Sequence, residues 1–397
     1  MTLTRETRIG LLATFCTLTA FALSSNAIPP VITTIAKEFG VQFETFGGYI
    51  VLLQFSVFAT ASIIGGWLTH RFGITNRALI ITGVVTLSFM LAIGSTFSRF
   101  AWFVVWAVPL GFAGGLVETF SSILVCKFGG RSSSKMLNLS QVFFCFGALF
   151  APFLAGRFLG WGISWRITFL TLGILIFIIA MGFIAATRNL KEPAIEPAPA
   201  GDTPAVPAVH TPILSDPMFY LLAIALFLYV VVEGSIVVWV PTFFEKKLNV
   251  PASSAAWRLS LFWFGLVCGR SSMLVLRGSW TLWPAVIVGS VGMMIADGLM
   301  IGTWSVAVST CLVFSAGLLS GPLWPIIVTL SQNVRQSPRF TSGVIAAGAV
   351  GAGLGPYMSS LILRYLGLKA FFPILTGLGL LLVVALIQAK IRHQKER

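Results

Sequence analysis

Three carboxylates stand inside long apolar runs: Glu118 in VPLGFAGGLVETFSSILV, Glu233 in LFLYVVVEGSIVVWV and Asp297 in VGSVGMMIADGLMIG. An ionisable group in such surroundings is expensive to desolvate, so it marks a candidate site. A buried carboxyl accepts strong charge-assisted hydrogen bonds from hydroxyl groups, and it can also carry a proton. Arg270, closing SLFWFGLVCGR, is the one basic residue placed within a run. The neutral polar groups inside the runs include Asn26, Gln54, Asn138 and Gln141, and the aromatic ones include Trp239, Trp263 and Trp324. Amides offer hydroxyls a donor and an acceptor together, and a flat ring suits the apolar face of a pyranose. Structural roles compete with these readings. Each acid could hydrogen-bond a neighbouring helix or neutralise Arg270, and Trp is common at a membrane interface. Glu118 ranks first because Gly111, Gly114 and Gly115 lie within two turns of it, and small residues admit a close helix or ligand. Asp297 ranks last, near the end of its run.

The elements that must position these groups are membrane spans. Of the 397 residues, 57% are hydrophobic and 10% charged, against about a quarter charged in a soluble domain. The mean hydropathy is +0.94. Apolar runs long enough for a bilayer, about 20 residues, fall near 9 to 36, 44 to 69, 76 to 97, 100 to 126, 135 to 159 and 164 to 187. Six more fall near 217 to 244, 253 to 276, 280 to 300, 304 to 332, 338 to 364 and 369 to 389. Between the sixth and seventh lies the Pro/Ala-rich stretch KEPAIEPAPAGDTPAVPAVHTPILSDP, which reads as a linker. The expected fold is therefore an all-α polytopic membrane protein of twelve transmembrane helices. Its N-terminal six-helix bundle would be 1–187, its cytoplasmic linker 188–216 and its C-terminal bundle 217–397. Six plus six spans suit two halves that rock around a shared central site.

The net charge of +14 would suggest nucleic acid in a soluble chain. Here the Lys and Arg gather at the ends of apolar runs and read as topology signals, so no nucleic-acid partner is expected. With the N-terminus inside, sixteen of the 26 basic residues fall on the inner side, nine on the outer, and Arg270 within a span. That bias places both termini in the cytoplasm of a multi-pass cell-membrane protein. The run after Arg5 and Arg8 continues through Asn26, Pro29 and Pro30 with no small-residue cleavage site, so a retained first span is expected. Cys16, Cys126, Cys145, Cys268 and Cys311 form no CxxC pair and read as small packing residues. No HExxH, GxSxG or Ser/His/Asp pattern is present, which argues against an enzyme, a metal or a cofactor. A sensor would usually carry an added soluble domain. GLLSGPLWP (317–325) and GVIAAGAVGAGLGP (343–356) hold helix-interrupting residues, which suit either bending points or close packing.

GGWLTHRFGITNR after the second run, with Gly66, Arg71 and Gly73, resembles the inner loop of the major facilitator superfamily, with His70 at its usual Asp. Four further blocks resemble the fucose:proton symporter family within it. GFAGGLVETFSSILV puts Glu118 at that family's sugar-binding glutamate, and LNLSQVFFCFGALFAP brings in Asn138, Gln141 and Gly147. YVVVEGSIVVWV with SLFWFGLVCGR marks Glu233, Gly269 and Arg270. GLLSGPLWPIIVTL with GAVGAGLGPYMSSLI marks Gly317, Ser320, Pro325, Gly351, Gly355 and Pro356. The blocks cover about a quarter of the chain. The resemblance implies two pseudo-symmetric bundles and a monomer in lipid that takes up a neutral monosaccharide with a cation, H⁺ or Na⁺. Substrate would be held by Glu118, Gln141, Asn26, Asn138, Trp324 and Glu233. Coupling and gating would involve Glu118, Arg270, Gly66, Arg71 and Gly73. The chain departs from the pattern in carrying Asn26 but no acid in its first span, Ser121 and Ser122 for an Asn-Pro, and Phe144 at a polar position. The competing expectation is a proton-coupled exporter of amphipathic compounds or organic anions, with Glu118 as its proton switch.

Overall fold

The computed structural model describes residues 5–129, 133–190, 192, 215–272, 282–335 and 337–396. Its first half comprises α1 (Arg5–Ser25), α2 (Ile32–Phe39), α3 (Phe43–Phe72), α4 (Asn76–Gly94), α5 (Ala101–Gly129), α6 (Ser133–Gly160) and α7 (Trp165–Thr187). The second comprises α8 (Pro217–Lys247), α9 (Ala252–Ser272), α10 (Leu282–Gly302), α11 (Val306–Ser320), α12 (Leu323–Val334), α13 (Pro338–Leu366) and α14 (Phe371–Lys395). No strand occurs among the described residues. Among the described residues, eleven spans are long and apolar enough to cross a bilayer, α1 with α2 and α11 with α12 each counting as one. α9 is the twelfth; its 21 residues include Arg258 and Arg270, which make it more polar than the rest. The expected linker lies outside the described residues except at its two ends.

Two of the expected continuous spans are broken. The run from 9 to 36 ends as α1 at Ser25, and a 3-10 turn at Pro29–Val31 precedes α2. Proline has no N–H for the helical ladder, and its ring collides with the preceding turn. The tenth span breaks at Gly321 and Pro322, between α11 and α12. The glycine-rich run 343–356 does not break. α13 passes through it with Pro356 inside the helix, and Gly348, Gly351 and Gly355 lie against Leu226, Phe227 and Val231 of α8. Those glycines serve close packing, not bending.

The pairing of helices repeats with a shift of six spans. α1 packs on α6 and α7 as α8 packs on α13 and α14, and α4 packs on α5 and α7 as α10 packs on α11 and α14. α3 meets α5 as α9 meets α11. In both of those last pairs glycine sets the approach: a Cβ at Gly111 or Gly115 would strike the carbonyls of Gln54 or Phe58, and one at Gly265 or Gly269 those of Phe314 or Leu318. Between the halves, α6 lies on α9 and α3 on α13, two contacts that the same pseudo-twofold axis exchanges.

Candidate functional site

A cavity of about 310 Å³ lies where the halves meet, within the usual size range of small-molecule sites. α1, α3, α5 and α6 supply one wall and α8, α9, α12 and α13 the other. Glu118, Glu233 and Arg270 are its ionisable lining residues, joined by Gln54, Gln141, Ser24, Ser25, Trp263 and Trp324. Phe21, Phe55, Phe58 and Phe144 make much of the remaining surface apolar.

Glu118 reaches the cavity because α5 is fixed in rotation on both flanks. Thr119 Oγ1 and Ser62 Oγ on α3 are hydrogen-bonded at 2.7 Å, and Ser121 Oγ and Thr17 Oγ1 on α1 also at 2.7 Å. The Glu118 carboxyl itself makes no hydrogen bond among the described residues and is half-buried at the cavity surface. It is thus available to a solute or a proton. The glycines beside it admit α3 through Gly111 and Gly115, while Gly114 faces Phe21 and also lines the cavity.

Arg270 crosses from α9 to α6, where Nη1 donates to Cys145 Sγ at 3.2 Å and to the Gln141 carbonyl at 3.5 Å. Its Nε is buried without a hydrogen-bond partner, and the hydroxyl of Tyr229 lies close by. Glu233, one turn beyond Tyr229 on α8, is within electrostatic reach of both. Tyr229 and Cys145 are the members of this cluster that sequence reading missed. The signal was there: each stands four residues, one helical turn, from a polar residue already singled out.

Of the expected site residues, Glu118, Gln141, Asn26, Trp324, Glu233 and Arg270 all line the cavity. Asn26 does so with its amide already engaged: Oδ1 accepts from Trp263 Nε1 at 3.0 Å, and Nδ2 donates to the Ala22 carbonyl at 3.1 Å. Asn138 is exposed on α6 and is not part of the lining. Gly66 and Arg71 sit near the end of α3, far along the chain from the lining residues of that helix, and Gly73 closes it. Gly73 has a φ of +64°, and its N–H bonds the Thr69 carbonyl, a left-handed cap that favours glycine. Trp239 is fully buried and donates to the Pro356 carbonyl at 3.0 Å. Asp297 is buried in α10 away from the cavity, with Oδ2 unpartnered.

The halves are closed on the side remote from both termini. There Trp263 meets Asn26, Ser260 Oγ donates to the Leu149 carbonyl at 2.8 Å, Thr33 donates to Glu245, and the rings of Tyr49 and Tyr357 lie 5.4 Å apart. On the side of the termini, among the described residues, no ion pair joins the two bundles, and each end of the linker pairs with the bundle next to it. Glu192 accepts from Asn76 Nδ2 at 2.7 Å and pairs with Lys127 at 3.2 Å. Arg335 pairs with Asp216 at 2.7 Å and with Glu396 at 2.9 Å.

Comparison with known proteins agrees with this geometry. The chain resembles the structure of a D-xylose-proton symporter, with a TM-score of 0.70 at 16% identity over 95% of this chain and 96% of that one. It also resembles a bacterial homolog of the human lysosomal transporter Spinster in an inward-facing, unoccupied conformation, with a TM-score of 0.68 at 17% identity over 98% and 96%. Among sequence relatives, Protein TsgA of Escherichia coli O9:H4 is 23% identical over 89% of this chain and 87% of its own. Bypass of stop codon protein 6 of Saccharomyces cerevisiae is 21% identical over 93% and 79%. The sequence profile of the Major Facilitator Superfamily matches residues 11–337. With that match over most of its length, two pseudo-symmetric sets of spans and a cavity between them, the chain belongs to the Major Facilitator Superfamily.

Proposed function

We propose that the protein is a secondary active transporter that moves a small hydroxylated solute of monosaccharide size by alternating access, coupled to H⁺ or Na⁺. The observation that carries this reading is Glu118, a carboxyl with no hydrogen bond among the described residues, facing a central cavity that Gln141 and Trp324 also line. Such a group binds a hydroxyl strongly and can exchange a proton with either side. Neutral hexoses and deoxyhexoses are the first class to test, as the family resemblance implies. In this reading 1–187 and 217–397 move as two bodies joined by 188–216, in the cell membrane, with both termini cytoplasmic as the Lys and Arg bias favours. A monomer suffices, because one chain supplies both walls of the site.

The four phenylalanines of the lining favour a second reading, export of amphipathic compounds with Glu118 as a proton switch. Thermal stabilisation of the purified protein separates the two, since a ligand that prefers the folded state raises the melting temperature by mass action. A selective shift with a hexose, dependent on pH or Na⁺, is the expected outcome. Silence from every sugar together with a shift from amphipathic drugs would install the second reading.

A further inference from the structure

The α9 wall of the cavity holds a positive charge that the protein meets only in part. A guanidinium carries five N–H donors, and Arg270 spends Nη1 on a neutral sulfur at 3.2 Å and a carbonyl at 3.5 Å. Its Nε is buried with no hydrogen-bond partner, and the Tyr229 hydroxyl stands between it and Glu233. The ion pairs among the described residues do not include Arg270. Glu233 feels its charge without being bonded to it. A cationic group with N–H donors left unspent thus stands at a cavity of low polarity. The acceptor that matches a guanidinium best in such a place is a carboxylate, which takes two parallel N–H bonds.

We propose that Arg270 is the anchor for a carboxylate on the transported solute, which is then a hydroxylated organic acid of sugar size, held also by Glu118 and Gln141. This rests on the solute-porter reading above and specifies its substrate class. Charge balance favours a monoanion that travels with a proton. Glu118, Glu233 and Arg270 are the ionisable lining residues, and with all three charged the site carries one negative charge. A proton on Glu118 and a monoanion on Arg270 return it to one negative charge, so loading leaves the field of the site unchanged.

The test compares matched pairs that differ in one group: D-glucuronate with D-glucose, D-galacturonate with D-galactose, and D-gluconate with D-glucitol. Binding to the purified full chain is read by calorimetry and thermal shift. The expected result is at least one acid bound about tenfold or more tighter than its neutral twin, the gain of a charge-assisted pair. That preference is lost in Arg270→Gln and partly kept in Arg270→Lys. If Arg270→Gln does not fold, the methyl ester of D-glucuronate decides on the native chain, because without its charge it must bind no better than D-glucose. Equal or tighter binding of the neutral twins would overturn the anchor, making Arg270 the counter-charge of Glu233, and would leave the sugar-porter reading standing. Failure of every member of every pair would overturn both.

Discussion

Glu118 and Asp297 look alike in the sequence, each a lone carboxylate in an apolar run, yet the fold gives them different work. Glu118 faces the central cavity, whereas Asp297 is sealed inside α10. Glu118→Gln keeps the shape and removes both the charge and the exchangeable proton. Solute binding should weaken about 10- to 100-fold, the scale of a hydrogen bond to a charged group, and coupled transport should vanish in a proteoliposome assay. Asp297→Asn should leave transport within about twofold of the native rate, because it changes a buried side chain that does not line the cavity. The acids were legible in the sequence because ionisable groups are rare in spans. The task of Asn26 was not, because its partner Trp263 lies 237 residues away and no local pattern links them. Asn26→Leu removes that bond, and labelling of cysteines introduced on the side remote from the termini should then increase.

At the level of elements, glycine decides how closely the spans meet. Gly115 and Gly317 each sit where a Cβ would strike the backbone of a neighbouring helix, so Gly115→Val or Gly317→Val must push the pair apart. Overpacking of this kind costs about 1 to 3 kcal/mol, and each variant should melt below the native protein in detergent. Span existence was legible because long apolar runs admit few other structures. Interruption was less so. Pro29 and Pro30 break the first span while Pro356 leaves α13 continuous, and the difference rests on whether neighbours absorb the lost backbone bond, which lies in the packing.

Among the described residues, no ion pair on the terminus side joins the two bundles, and the bonds that cross between them lie at the cavity or beyond it. That arrangement holds each half together while leaving one side free to part. Two sets of six spans were legible in the sequence; which side is closed was not, because both closures use the same helices. An ideal Cβ at Gly156 would lie 2.9 Å from Trp257 Cβ across the closed side, about an ångström inside the usual Cβ–Cβ spacing of a disulfide, so a cross-link forms once the two helices ease apart by about that much. Oxidation of Gly156→Cys with Trp257→Cys should therefore lock the protein and stop transport, with recovery on reduction.

The most direct measurement is gradient-driven uptake in proteoliposomes, using whichever sugar or sugar acid most stabilises the purified protein, with the native chain and Glu118→Gln side by side. The native protein should concentrate the solute when a proton or Na⁺ gradient is imposed, and Glu118→Gln should not. Full accumulation by Glu118→Gln, or no uptake by the native protein of a solute that it binds, would contradict the account.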